Sequence, residues 1–191
     1  MANSQGGRIT IIPHRPTLRE RFFFFSSGII TSVPLTLFIN GFANYLLIIV
    51  PVFYATLFSV VVFAPFIEEF AKAFPLFYRH GETEKSIFNL GFLVGSGFGI
   101  SEFFIYVFEL GAPVFVRLPL VFFHAATTSI TAYGLTQKRP TLFYFVAVIL
   151  HFLNNGFAML DELWFLRGTA VAATYFLSWH FYNKTSERIV D

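Results

Sequence analysis

FAPFIEEFAKAF, from Phe63 to Phe74, sets two adjacent glutamates, Glu68 and Glu69, and a lysine, Lys72, in an otherwise apolar stretch. Further apolar stretches carry Glu102, His124 and His151, with Asn155 one helical turn after His151. Carboxylates and imidazoles can hold a water, take its proton and return it to a leaving group. An amide can donate to a developing oxyanion. Together these types suit hydrolysis of a peptide bond. Glu68 or Glu69 would activate water with a histidine, and Lys72 would orient the other acid. His151 and Asn155 would donate to the oxyanion. The same groups support a metal-dependent version, in which His124, His151 and a glutamate such as Glu102 bind zinc and leave a position for water. No H-E-x-x-H motif occurs, so the helix that carries two zinc-binding histidines in that motif is absent. The residues lean to the metal-free version but leave both open, no cofactor or zinc.

The elements that must position these groups follow from composition. Of 191 residues, 55% are hydrophobic and 20% aromatic, while 13% are charged, about half the share of a soluble domain. Twenty-nine phenylalanines are too many for one small soluble core. The expected class is an all-α polytopic transmembrane helix bundle. The apolar runs do not alternate with polar residues as barrel strands would. With no cysteine there is no disulfide, thiolate metal site or cysteine nucleophile. A net charge of +2 without a basic, aromatic-interleaved stripe argues against nucleic acid as a partner. The lipid bilayer is the expected surrounding.

Apolar runs occupy 22–42, 45–79, 86–109, 114–135, 141–160 and 163–182, separated by turn or charged residues at Asn40-Gly41, 79–85, 111–113, 137–140 and 161–162. Six spans are expected, with both termini cytoplasmic. That arrangement leaves only Arg117 and Arg167 of the 13 basic residues outside, as the positive-inside rule favours. The organisation is a basic N-terminal segment, 1–21, one membrane domain, 22–182, and a cytoplasmic tail, 183–191. The first helix reads as retained, because no small-residue cleavage site follows it. The second run is too long for one span, at about 52 Å of helix against a core of about 30 Å. Its spanning part should therefore start around residues 55–60, with 43–54 at the interface, in a hairpin or re-entrant.

This register sets Glu68 and Glu69 about 15 Å from the inner end, near mid-membrane. Glu102, His124, His151 and Asn155 fall in the middle or outer half. A charge at that depth must face protein or water, so separate helices deliver these groups to one site. Local spacing agrees: Lys72 can pair with Glu68 at i,i+4 or Glu69 at i,i+3. Gly91, Gly95, Gly99 and Glu102 share a face, and small residues let membrane helices approach closely. Thr128 lies one turn after His124. Singly, each feature has a structural explanation: helix packing for the glycines, an ion pair for Lys72, interhelical hydrogen bonds for the histidines and Asn155, headgroup contact for Arg117. The loop 79–85 reads as solvated.

E-E-x-x-K at Glu68–Lys72, F-x-x-x-E at Phe98–Glu102, His124 seven residues after Arg117, and H-x-x-x-N at His151–Asn155 follow one another on successive apolar helices. In this order they resemble the PrsW family of intramembrane proteases, grouped with the CAAX-protease and bacteriocin-processing (CPBP) superfamily. The resemblance covers about residues 60–160. It implies an endopeptidase that cuts a membrane-anchored protein substrate, in the plasma membrane of a prokaryote. It carries over Glu68, Glu69, Glu102, His124, His151 and Asn155 as the site, with Lys72, Arg117 and Thr128 in support. F-x-x-x-E in place of F-x-x-x-H favours PrsW. H-x-x-x-N is commoner in the CAAX branch, whose members trim a prenylated C-terminus. Mid-membrane acids and histidines also build proton- or ion-coupled transporters, although no internal repeat is evident. A non-catalytic scaffold of the same fold is the remaining class.

Overall fold

A computed structural model describes residues 14–78, 82–160 and 164–190. These fold into six long helices: α1 Leu18–Leu46, α2 Val52–Tyr78, α3 Glu84–Glu109, α4 Val114–Thr136, α5 Pro140–Ala158 and α6 Trp164–Tyr182. The first five are long and apolar enough to cross a membrane. α6 has 19 residues but falls outside that set, because Arg167 and His180 dilute its apolar content. Among the described residues, five of the six expected spans are thus supported, and the sixth is a helix of 19 residues outside that set. The chain is an integral membrane protein with an all-α bundle.

The helix boundaries match the apolar runs except in the first third. Asn40-Gly41, expected as a break, lies inside α1. Glycine lowers helix propensity by about 1 kcal/mol, too little to break a helix whose backbone bonds have no water to replace them. The chain turns instead at residues 47–51, and Pro51 opens α2. α2 then runs as one helix from Val52, so residues 52–54 form its first turn. It changes winding on the way: Leu57–Phe63 forms a wide π turn just before Pro65, and Phe74–Tyr78 tightens into a 3₁₀ end.

α4 is the central helix, packed on α3, α5 and α6, while α1 packs on α3. The glycine ladder of α3 makes the main contact possible. A Cβ at Gly95 would lie 2.2 Å from the His124 carbonyl oxygen, and one at Gly91 2.5 Å from Ala132 Cβ. The ladder is therefore a packing face, and it sets the depth of His124. Gly95→Ala is expected to destabilise the protein by about 1–3 kcal/mol and to lower any activity that depends on His124. Thermal unfolding in detergent checks the first effect.

The loop 79–85 was expected to be solvated. Of its described residues, Glu82, Thr83 and Glu84 are buried. The C-terminal tail folds over them: Ile189 bridges Thr83, Val190 N–H donates to the Glu82 carbonyl, and Arg188 pairs with Glu84. Ser186 donates to the same carboxylate, and Val190 joins the core beside Leu76 and Ile87. A carboxylate with several donors no longer needs water. Arg79, His80, Asp161 and Glu162 lie outside the described residues.

Candidate functional site

Neighbouring residues on a helix point about 100° apart, and this separates the two acids of α2. Glu69 turns into the protein, where its Oε1 accepts from Lys72 Nζ at 2.7 Å and from His151 Nδ1 at 2.8 Å. Glu69 and Lys72 are 1% and 0% exposed. Of the two pairings open to Lys72, the one with Glu69 forms. Glu68 turns instead to an interior cavity of about 210 Å³. Its Oε2 is buried with no hydrogen-bond partner, and His151 Nε2 stands 3.8 Å away, beyond hydrogen-bonding range.

The other motifs close around this pair. Phe98, fully buried, packs its ring 5.2 Å from that of His124 and 5.0 Å from Lys72 Nζ. One turn later on α3, Glu102 Oε2 lies 2.6 Å from His124 Nε2. That gives F-x-x-x-E a physical reading: the phenylalanine walls in the lysine and the histidine, and the acid meets the histidine's free edge. His124 Nδ1 is 3.0 Å from Lys72 Nζ. With the ammonium donating there, the His124 proton sits on Nε2 and points at Glu102. Thr128 Oγ1 donates to the His124 carbonyl at 2.9 Å, a contact within α4.

Asn155 is engaged by the backbone of α2. Ala64 N–H donates to the Ser59 carbonyl in π register. The next donor in that register would be residue 65, but Pro65 has no N–H, which leaves the Val60 carbonyl free. Asn155 Nδ2 donates to Val60 O at 2.9 Å, and Asn155 Oδ1 accepts from Asn154. H-x-x-x-N thus joins α5 to α2 twice, through His151 to Glu69 and through Asn155 to Val60, in the π turn before Pro65. Asn155→Ala is expected to destabilise the bundle by about 1–3 kcal/mol, the penalty of an unpaired buried carbonyl. In a Pro65→Ala background the restored N–H should relieve much of that loss. Unfolding of the two single variants and the double variant measures the coupling.

Three residues that the sequence did not single out for the site line the same cavity: Tyr106, Asn154 and Arg167. Tyr106 was findable, since it follows Glu102 by one turn on the same helix. Arg117 also lines the cavity, with its Cζ 3.4 Å from the centre of the Tyr106 ring, so it turns inward rather than to headgroups. The candidate residues from four helices, Glu68, Glu102, His124, His151 and Asn155, all border this space, with Glu69 and Lys72 directly behind.

Glu68, His124 and His151 each offer a ligand atom within 4.8 Å of the others. The set suits a metal ion on the chemistry of its donors, one carboxylate and two imidazoles. Glu68 Oε2 lacks any other partner. His151 donates its Nδ1 proton to Glu69, the arrangement that turns the opposite nitrogen of a metal-binding histidine to the ion.

Compared with families of known proteins, the chain matches the model of the PrsW family intramembrane metalloproteases over residues 17–181. The chain belongs to this family. No curated protein and no solved structure gives a significant match. The PrsW match spans every helix described above, not only the motif-bearing core, and membership makes the protein a membrane protease. A PrsW protease acts within the bilayer, so its substrate is a membrane-embedded protein. The family's description as metalloproteases agrees with the Glu68, His124 and His151 group.

Proposed function

We propose that the chain cuts a peptide bond in a membrane-anchored protein substrate at the cavity between Glu68, Glu102, His124 and His151, with zinc as its cofactor. The observation that carries this reading is the three-residue group Glu68, His124 and His151, together with the unpartnered Glu68 oxygen. We favour the metal-dependent version over the metal-free one suggested by the sequence, on the family's description as metalloproteases and on the Glu68 oxygen that faces a histidine nitrogen without a hydrogen bond.

In this reading Glu68, His124 and His151 would hold the ion. A zinc ion so held supplies a Lewis acid that polarises the scissile carbonyl and lowers the pKa of water. The chain's own groups do the rest. Glu69, fixed by Lys72, holds the Nδ1 proton of His151 and so fixes which nitrogen of that ring faces the cavity. To serve as a ligand, His124 would have to give up its Nε2 proton to solvent. Glu102, beside that nitrogen, would then face the cavity as a carboxylate without its His124 hydrogen bond. Glu102 takes the proton of the attacking water and delivers it to the leaving nitrogen. The buried walls limit water to the few molecules the cavity holds, which strengthens each electrostatic contact. Asn155 acts here as a brace for α2, since its amide bonds Val60. The distribution of basic residues supports both termini in the cytoplasm, and the family resemblance supports a prokaryotic plasma membrane.

The test is cleavage of single-span membrane proteins co-reconstituted with the purified chain. We expect wild type to release a fragment and Glu68→Ala and His151→Ala to release none while keeping their helicity. Cleavage by folded variants lacking these groups would place the chemistry elsewhere.

A further inference from the structure

Two guanidinium groups share the cavity with the acids and histidines. Arg117 is the fourth residue of α4 and Arg167 the fourth residue of α6, so both stand in the first turn of their helices. A cation is disfavoured there by the helix dipole, and local helix stability does not explain either one. Both are partly buried and line the cavity. Arg117 lies flat on Tyr106, and Arg167 Nε reaches Asn154 Oδ1 at 3.4 Å. Among the described residues neither arginine forms an ion pair, although Glu68 and Glu102 border the same space. The Tyr106 ring and the Asn154 amide hold the two groups at the cavity, and each guanidinium carries five N–H donors, more than these contacts engage. An arginine so held is ready for a carboxylate, which it can bind through two parallel hydrogen bonds.

We propose that Arg117 and Arg167 form a substrate-binding pair for a carboxylate of the peptide substrate close to the scissile bond. The carboxylate is an aspartate or glutamate side chain beside the cut, or a free C-terminus. This rests on the protease reading above and names the substrate class of that site. Neither arginine belongs to the Glu68, His124 and His151 group, and the pair selects the substrate without taking part in proton transfer. Its effect therefore falls on binding.

The test uses single-span peptides with a leucine–alanine membrane segment followed by six alanine or serine residues. Aspartate, asparagine or lysine is placed at each of the six positions in turn, with an amidated C-terminus. One further peptide carries no substitution and a free carboxylate. Binding is read by energy transfer to labelled protein in zwitterionic nanodiscs, for wild type, Arg117→Gln, Arg167→Gln and Arg167→Glu. Wild type should bind an aspartate peptide, or the free-carboxylate peptide, about ten- to hundredfold tighter than its asparagine or amidated counterpart, the range of a hydrogen bond to a charged group. Each glutamine variant should lose most of that preference, and Arg167→Glu should turn it towards lysine. A preference only for the free carboxylate would mark trimming of C-termini, and one for internal aspartate would mark an internal cut. Equal binding of all peptides, or a preference that survives in both glutamine variants, overturns the proposal. Cleavage of the same peptides is scored separately. Preference without cleavage keeps the binding pair and sinks the protease reading, and cleavage without preference does the reverse.

Discussion

Glu68→Gln is expected to lose bound metal and cleavage together, whereas Glu102→Gln keeps the metal and loses about 10²–10⁴ in kcat, the usual contribution of a general base. The two acids border one cavity but have different neighbours. Glu68 has a buried oxygen without a partner beside His151, so a neutral amide there removes a charged ligand. Glu102 meets His124 at 2.6 Å and forms no part of the Glu68, His124 and His151 group. Its amide keeps the shape of the carboxylate but cannot take a proton from water. Metal content of the purified variants, measured beside single-turnover cleavage, separates the roles. Loss of metal from Glu102→Gln with retention in Glu68→Gln would exchange them.

Lys72→Met is expected to have the largest effect on stability. The Lys72–Glu69 pair is 2.7 Å long and its side chains are wholly inaccessible. Removing one partner of a buried pair leaves an uncompensated charge and costs about 3–5 kcal/mol. Adding Glu69→Gln to Lys72→Met removes the stranded charge, so the double variant should recover much of the stability. It should not recover function, because His151 then loses the carboxylate that holds its Nδ1 proton. Mutation of such a partner lowers metal affinity by about 10–100-fold. Denaturation in detergent and zinc titration of the single and double variants test the two halves. A double variant as unstable as Lys72→Met would show that the pair is not the source of the loss.

Much of this site was legible because charge in an apolar helix is costly and must be met by protein. Glu68, Glu69, Glu102, His124 and His151 could be picked out one by one, and counting depth along the helices set them at overlapping depths. What could not be read was the rotation of each helix. The choice between Glu68 and Glu69 for the cavity depends on a turn of about 100°. That rotation is set by the π turn before Pro65 and by the Asn155 bond to Val60, a contact across 95 residues. Asn155 was readable as a polar group at the right depth but not as the partner of a specific carbonyl. Arg117 and Arg167 near helix ends are by default assigned to headgroups, where long cations snorkel, so their inward direction was hidden. In the fold, five of the six apolar runs began within a few residues of a helix, and the misplaced break followed from giving Asn40-Gly41 the weight it would have in water.

The most direct measurement is zinc stoichiometry and cleavage on one preparation of full-length protein, before chelation, after chelation and after zinc is restored. A catalytic ion held by Glu68, His124 and His151 should appear as one equivalent per chain. It should leave with activity, return with it, and be absent from His124→Ala and His151→Ala. Undiminished cleavage by the fully stripped wild-type protein would contradict a metal-dependent site and return the chemistry to the glutamates and histidines without a metal.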